Sequence, residues 1–275
     1  MHGAYILFDI GGTKMRFTSS FDGKTFGEPK IIPTPKDFED GMEIFCASAR
    51  ELSRGKKISA VAGGVAGTLD RARAVLVNSP NISGWVKKPL KEKLERDLGA
   101  PVYIENDTAV VGLGEAAVGA GKGFGIVVYV TVSTGVGGAR IVGGKIDKSV
   151  FGFEAGHQII DFHDSSGRLE GYISGAALER RSGKKPREIT DEKIWDEEAQ
   201  ILAVGLHNSI AHWSPDIVVL GGSMVVKRPG ISVDRVREYL QKIKTAYPEF
   251  PEIREATLGD VGGLWGALSF LNQRI

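Results

Sequence analysis

Residues 5–19, YILFDIGGTKMRFTS, contain the stretch that decides the fold. Tyr5 to Ile10 is rich in β-branched and aromatic residues, Gly11-Gly12 is typical of a tight turn, and Thr13 to Ser19 can form the returning strand. A β-hairpin is therefore predicted at the start of the chain.

A second hairpin is predicted from residues 125–142, GIVVYVTVSTGVGGARIV. Gly125 to Val132 is a strongly β-branched strand, Ser133 to Gly138 is its turn, and Ala139 to Val142 is the second strand. The second half of the chain is thus predicted to begin a cycle similar to the first, because each hairpin carries glycines at its tip.

Strands and helices alternate along the rest of the chain, which favours an α/β fold. Helix boundaries follow from apolar spacing and from glycine or proline stops. The predicted helices cover Asp37 to Arg54, Lys87 to Leu98, Glu197 to Trp213 and Gly262 to Leu271, and the further strands cover Ile58 to Gly63, Pro101 to Glu105 and Ile217 to Leu220.

Composition excludes several classes of protein. The chain has 275 residues, 37 of them glycine, yet it is 42% hydrophobic, so it is globular rather than collagen-like or disordered. A net charge of +1 provides no basic field for nucleic acid or lipid, and no apolar run is long enough to span a bilayer. The single cysteine, Cys46, and the absence of a signal-type start predict a cytoplasmic protein.

The turn Gly11–Lys14 follows the carboxylate of Asp9 and contains two glycines, a hydroxyl and a cation. Glycines let backbone N–H groups approach phosphate oxygens, and Asp9 can hold Mg²⁺ through water. Gly-Gly is also a common hairpin turn, so this motif is weak by itself. Two further glycine-bearing turns support the phosphate-binding interpretation, and they lie at Ser133–Gly138 and Gly221–Ser223. The chain contains neither a P-loop nor the dinucleotide motif G-x-G-x-x-G.

Seven motifs, taken together, resemble those of the bacterial ROK family of repressors, open reading frames and kinases. They are DIGGTK, NSPNISGW, ENDTAVVGLGEA, STGVGG, FEAGH, GRLE and PDIVVLGG, and they occur in the family's order over essentially the whole chain. The resemblance implies a two-lobed actin/hexokinase-like (ribonuclease H-like) fold with the active site in the interlobe cleft. It implies residues 1–108 as the N-terminal lobe, with the helix 262–275 packing back on it, and 109–261 as the C-terminal lobe.

The resemblance implies ATP-dependent phosphorylation of a hexose, with glucose to glucose 6-phosphate as the first expectation and Asp107 as the catalytic base. A carboxylate at a strand end can accept the proton of the attacking hydroxyl. Capping of the following helix is the alternative role for Asp107. The residues expected to bind Mg·ATP are Asp9, Gly11, Gly12, Thr13, Lys14, Ser133, Thr134, Gly135, Gly137, Gly138, Gly221, Gly222 and Ser223.

Sugar recognition requires polar groups with fixed directions, because each hydroxyl is both a donor and an acceptor. The resemblance assigns this role to Asn106, Asp107, Glu154, His157 and Glu170, with Asn78, Gly64 and Gly67 lining the same site. The three-residue spacing of Glu154 and His157 is compatible with one turn that presents both side chains.

The chain departs from the family at its zinc site, which uses the histidine of the GH motif and three cysteines. Residues 157–170 contain no cysteine, and Arg168 stands at the last cysteine position, so no structural zinc is predicted. A different metal held by His157, Asp161, His163 and Asp164 is the less favoured alternative.

Several alternatives remain open at this level. The substrate can instead be N-acetylmannosamine, N-acetylglucosamine or fructose, and polyphosphate can replace ATP. A non-catalytic sugar sensor is a second class, and a DNA-binding repressor is disfavoured because only Met1 to Ala4 precede the first strand. The family commonly forms dimers, so a homodimer is expected. The region Gly171 to Lys193 is shorter than in typical members, so the usual dimer contacts are not expected to carry over unchanged.

Overall fold

The computed structural model describes residues 3–164 and 167–275. Its strands are β1 Ala4–Ile10, β2 Lys14–Ser20, β3 Lys30–Pro33, β4 Ile58–Val65, β5 Thr68–Leu69, β6 Leu76–Asn78, β7 Val102–Asn106, β8 Ile126–Val132, β9 Val136–Val142, β10 Lys145–Ile146, β11 Ile217–Gly221 and β12 Glu252–Glu255. Its helices are α1 Phe38–Leu52, α2 Leu90–Leu98, α3 Asp107–Val118, α4 Leu169–Ile173, α5 Gly175–Ser182, α6 Glu192–Trp213, α7 Ser223–Val226, α8 Val233–Lys242 and α9 Gly262–Asn272.

The chain divides into two compact units. The first unit contains the residues up to Ala117, the segment Lys148–Gly152 and the residues from Asp260 to Ile275. The second unit contains Val118–Asp147 and Phe153–Gly259. None of the helices within the described ranges has the length and apolar character needed to cross a bilayer.

The two units contain sheets of the same strand order, so the predicted repeat of the hairpin is confirmed. The first sheet has the order β3-β2-β1-β4-β7, and the second has the order β10-β9-β8-β11-β12. In each sheet an antiparallel hairpin is extended by two parallel strands. Parallel strands place their carboxyl ends at one edge, which is where α/β proteins bind ligands.

The first core lies between the first sheet and helices α1 and α2. Phe45 of α1 packs edge-on against Phe8 and Phe17, with ring centroids 5.1 and 5.0 Å apart. Helix α1 begins where Asp37 accepts hydrogen bonds from the N–H groups of Glu39 and Asp40. Predicted helix α2 was too long at its start, because Pro89 stands at the N-cap and the helix begins only at Leu90.

Helix α9 packs against β1, β2 and β4 of the first sheet. Glycines of α3 and α9 bring these two helices into close backbone contact. A Cβ added to Gly266 would lie 1.7 Å from the carbonyl oxygen of Val110, and one added to Gly114 would lie 2.5 Å from the carbonyl oxygen of Gly262. Gly114 and Gly266 therefore serve helix packing.

The second core lies between the second sheet and helices α6 and α8. The predicted start of α6 at Glu197 was wrong, because Asp191 caps a helix that begins at Glu192. Its first two residues, Glu192 and Lys193, are charged and exposed, so apolar spacing did not reveal them. The charge-rich stretch Arg180–Glu198 contains the end of α5 and the start of α6.

Glu198 of α6 is fully buried, and its Oε1 pairs with Nη2 of Arg181. Within the described residues its Oε2 has no hydrogen-bond partner. Burial raises the pKa of Glu198 to about 7, and the charge of Arg181 opposes that shift. The folded state therefore holds a proton on this carboxyl more tightly than the unfolded state does.

The stability of the chain is expected to depend on pH through Glu198. Because the folded pKa lies above the ordinary value of 4.5, this carboxyl costs stability as pH rises from about 4.5 to about 7. Chemical unfolding of Glu198→Gln should show the free-energy difference from wild type growing in the variant's favour by about 3 kcal/mol across that interval. Glu197→Gln, at the exposed neighbouring position, should show no such change. A constant offset for Glu198→Gln at every pH would contradict the expectation.

Candidate active site

Asp9 stands near the end of β1 and is 9% exposed. Nη1 of Arg16 lies 3.4 Å from its Oδ2, and a Cβ added to Gly263 of α9 would lie 2.6 Å from its carboxyl carbon. Burial raises the pKa of Asp9 to about 7, the charge of Asp107 adds to the shift, and Arg16 opposes it. The first unit thus places two carboxylates where they repel each other.

The turn after β1 contains Gly11, Gly12 and Thr13, and β2 begins at Lys14. The Gly11 N–H donates to the Lys14 carbonyl at 3.0 Å, and both Thr13 and Lys14 are exposed. A Cβ added to Gly12 would lie 2.4 Å from Cβ of Asn81. Gly12 therefore also allows the NSPNISGW segment to pack against this turn.

Asp107 begins α3 directly after β7. Its Oδ1 accepts hydrogen bonds from the N–H of Thr108 at 2.8 Å and from Nδ2 of Asn106 at 3.2 Å. Oδ1 of Asn106 accepts the N–H of Ala109 at 3.1 Å, so Asn106 carries out much of the capping. One oxygen of Asp107 is consequently fixed in direction.

The predicted sugar residues of the first unit lie together around Asp107. Nδ2 of Asn106 donates to the carbonyl of Gly67 at 3.0 Å, and a Cβ added to Gly64 would lie 2.8 Å from Cα of Asp107. Asn78 pairs with Thr68 in the β5–β6 ribbon that follows Gly67. The end of β7, the start of α3 and the loop between β4 and β5 thus bring these polar residues into one cluster.

The turn of the second hairpin is shorter than predicted. Gly137 and Gly138 belong to β9, where they pair with Thr131 and Val130. The residues on either side of them, Val136 and Ala139, are both buried. The turn itself contains Ser133, Thr134 and Gly135, and the Ser133 N–H donates to the carbonyl of Gly135 at 2.8 Å.

Glu170 of α4 binds this turn. Its Oε2 accepts the N–H of Val136 at 2.7 Å, and a Cβ added to Gly135 would lie 2.7 Å from the same oxygen. Ser133 and Thr134 also accept backbone hydrogen bonds from Gly175 and Ala176 at the start of α5. A cavity of about 390 Å³ is lined by Thr134, Glu170 and His157. Residues that the sequence assigned to phosphate and to sugar therefore share one cavity wall.

Glu154 and His157 are presented by one turn, as their spacing predicted. Residues Ala155–His157 form a 3-10 helix, and Nδ1 of His157 lies 3.1 Å from Oε2 of Glu154. Both side chains are about half exposed. They are accessible to a polar ligand.

The glycines after β11 bring the chain close to the second hairpin. Gly221 ends the strand, and Gly222 has φ of +86°, with the Val132 carbonyl oxygen 2.3 Å from where a Cβ would stand. Ser223 then begins α7 and lines a cavity of about 400 Å³ together with Ser133 and Thr134. Four cations of the same wall were missed by sequence reasoning, because they lie in two separate charged loops: Lys185, Arg187, Lys227 and Arg228.

The segment at the family's zinc position is held by hydrogen bonds. The N–H groups of Ile160 and Asp161 donate to the carbonyl of Gly167, and the hydroxyl of Tyr172 lies 3.2 Å from Oδ2 of Asp164. Residues 165 and 166 lie outside the described residues. No group of three or more His, Cys, Asp or Glu side chains suited to a metal occurs within the described ranges. The absence of structural zinc stays a prediction.

Comparison with known proteins identifies the family. The model of the ROK family matches residues 5–274. A glucokinase of Streptomyces coelicolor is 31% identical over 95% of this chain and 82% of its own length. A ROK hexokinase from Thermus thermophilus superposes with a TM-score of 0.82 at 30% identity, covering 98% of this chain and 99% of its own. A ROK family glucokinase from Streptomyces griseus, solved with glucose and AMPPNP, gives 0.81 at 28% identity, covering 98% and 100%.

These matches extend over nearly the whole chain and agree with the actin/hexokinase-like α/β fold expected from the motifs. The chain belongs to the ROK family.

Proposed function

We propose that this chain, an ATP-dependent sugar kinase, transfers the γ-phosphoryl group of ATP to a hydroxyl of a hexose, with glucose as the first substrate to test. The fixed carboxylate of Asp107 at the junction of β7 and α3 carries the proposal. Its surroundings are polar groups of Asn106 and of the Gly64–Gly67 loop, which suit a neutral polyol.

Asp107 is the proposed general base. Its carboxylate accepts the proton of the sugar hydroxyl as that oxygen forms a bond to the γ-phosphorus and the bond to the leaving ADP oxygen breaks. The N–H of Thr108 and Nδ2 of Asn106 hold Oδ1 while this happens. Positioning of this kind accounts for much of the rate in phosphoryl transfer.

The turns bind the nucleotide in this proposal. Gly11 to Lys14 and Ser133 to Gly135 offer backbone N–H groups, hydroxyls and a cation to phosphate oxygens. The cavity beside Ser223 fits a polyphosphate chemically, because its lining contains four cations against one carboxylate, that of Glu179. Gly137 and Gly138 act through the strand that supports the turn, and Gly221 and Gly222 let the backbone approach the adenosine.

Asp9 is the proposed residue that holds Mg²⁺, through water. The donor chemistry fits, because carboxylate oxygens suit this ion and the repulsion between Asp9 and Asp107 favours a nearby cation. When bound, Mg²⁺ neutralises charge on the transferring phosphate. Arg16 keeps the Asp9 carboxylate oriented.

Glu154, His157 and Glu170 are proposed to recognise sugar hydroxyls together with Asn78, Asn106 and Asp107. The hydrogen bond between His157 and Glu154 fixes both side chains relative to each other. Glu170 has a second task, since it also binds the turn proposed for phosphate.

A substrate panel tests the proposal. With ATP as donor, an assay that couples ADP release to a colour change should give turnover with glucose and lower turnover with fructose, N-acetylglucosamine and N-acetylmannosamine. Polyphosphate releases no ADP, so with this donor the sugar phosphate itself is measured by chromatography. Absence of turnover with every pair would overturn kinase activity. A thermal shift with sugar under those conditions would favour the sensor, because a ligand at a hundred times its Kd adds about 2.7 kcal/mol.

A further inference from the structure

Arg73 adopts an unusual backbone conformation in the loop between β5 and β6. Its φ is +53°, in the left-handed region where a residue with a Cβ is strained by about 1 kcal/mol. Glycine occupies this region without strain, as Gly67 and Gly99 of the same unit show. The side chain of Arg73 must therefore contribute contacts that offset the strain.

The guanidinium of Arg73 joins three parts of the first unit. Nε donates to Oε2 of Glu105 at 3.0 Å, and both side chains are mostly buried. Nη1 donates to the carbonyl of Val150 at 3.2 Å, and Nη2 donates to the carbonyl of Ser149 at 3.3 Å. Nη1 also reaches the carbonyl of Asp70 in its own loop at 3.5 Å.

The first of these contacts leads to the proposed base. Glu105 immediately precedes Asn106 and Asp107 at the end of β7, and its Oε1 accepts the N–H of Asn106 at 2.9 Å. The ion pair with Arg73 therefore orients the Glu105 carboxylate, which accepts a hydrogen bond from the backbone N–H of Asn106, the residue before Asp107.

The other contacts hold the segment Lys148–Gly152. This segment belongs to the first unit, whereas its neighbours along the chain, Asp147 and Phe153, belong to the second. It has no helix or strand, and Val150 and Phe151 are about half exposed, so apolar burial fixes it poorly. Glu154 follows Val150 by only four residues.

We propose that Arg73 is a positioning residue for the sugar site, because it fixes the segment from which Glu154 emerges and the strand end that carries Asp107. The inference rests on the sugar and base roles proposed above. A lysine has one nitrogen and cannot serve a carboxylate and two carbonyls in one plane, so the geometry requires arginine.

Arg73→Gly is the decisive variant, because it removes the side chain and relieves the backbone strain. The KM for the sugar should rise about tenfold, which corresponds to the loss of about 1.4 kcal/mol, while the KM for ATP stays within about twofold. Arg73→Lys keeps the charge beside Glu105, so its KM for the sugar should lie between those of wild type and Arg73→Gly. Arg71→Ala removes a cation from an exposed position of the same loop and should match wild type.

Hydrogen exchange supplies a readout that does not need activity. The Gly152 N–H donates to Oγ of Ser149 at 3.1 Å, so its exchange should accelerate in Arg73→Gly while peptides of β8 stay protected. Unchanged exchange, or equal changes in both KM values, would overturn the role of Arg73. If wild type phosphorylates no sugar, the proposed function fails, and the exchange result still decides whether Arg73 fixes this segment.

Discussion

Replacing Asp107 with Asn is expected to lower kcat by about 10²–10⁴-fold, the range measured when a general base is removed. Asn has the same shape, and its amide oxygen can still accept the N–H of Thr108, so the junction of β7 and α3 should keep its structure. Only proton acceptance and the negative charge are lost. Steady-state kinetics over a sugar series measures the effect, with circular dichroism and thermal unfolding as checks of the fold.

Asp37→Asn is a matched control for this variant. Asp37 caps α1 through bonds from two backbone N–H groups, and Asn caps helices about as well as Asp. The same chemical change should therefore leave kcat within about twofold. A kcat of Asp107→Asn close to that of wild type would exclude Asp107 as the base and leave helix capping as its role.

Gly266→Ala is expected to have the largest effect on stability. The new Cβ would meet the carbonyl oxygen of Val110 at 1.7 Å, and a backbone carbonyl cannot move aside as a side-chain end can. Helices α3 and α9 must then separate, with an expected cost of about 3 kcal/mol or more. A drop of about 6–12 °C in the Tm follows for a domain of this size.

Gly205→Ala in α6 provides the comparison. Both glycines are buried in helices, and Ala gains about 1 kcal/mol of helix propensity at each. At Gly205 the new Cβ would meet the side-chain carbons of Leu169, the nearest at 2.4 Å, and that side chain can change rotamer. Gly205→Ala should therefore cost far less. Equal Tm values for the two variants would show that α3 and α9 can move apart without a loss of stability.

Short apolar runs bounded by turn residues predicted the strands of both sheets well. The strands β1, β8 and β11 are buried, mostly apolar runs, and their ends could be located within a residue or two. The family motifs, in turn, led to the residues around Asp107, because those residues are neighbours along β7 and α3. Their roles stay predictions.

Features that depend on contacts between distant residues could not be predicted. The start of α6 was missed because its capping residue, Asp191, precedes two charged, exposed residues, Glu192 and Lys193. Arg73 lies in the sequence DRAR, which is typical of a solvated loop, and its partners Glu105 and Ser149 are 32 and 76 residues away. Only the left-handed backbone and the folded chain show that this arginine is different from Arg71.

The packing of α9 on β1 and β4 has a consequence for synthesis on the ribosome. The first unit obtains this helix from residues 262–272, so the whole second unit is translated before the first can cover its sheet. Until then an apolar sheet face is open, and Asp9 lacks the backbone of Gly263 beside it. Nascent chains that stop before Gly262 should therefore be prone to aggregate, and the unit that begins first is completed last.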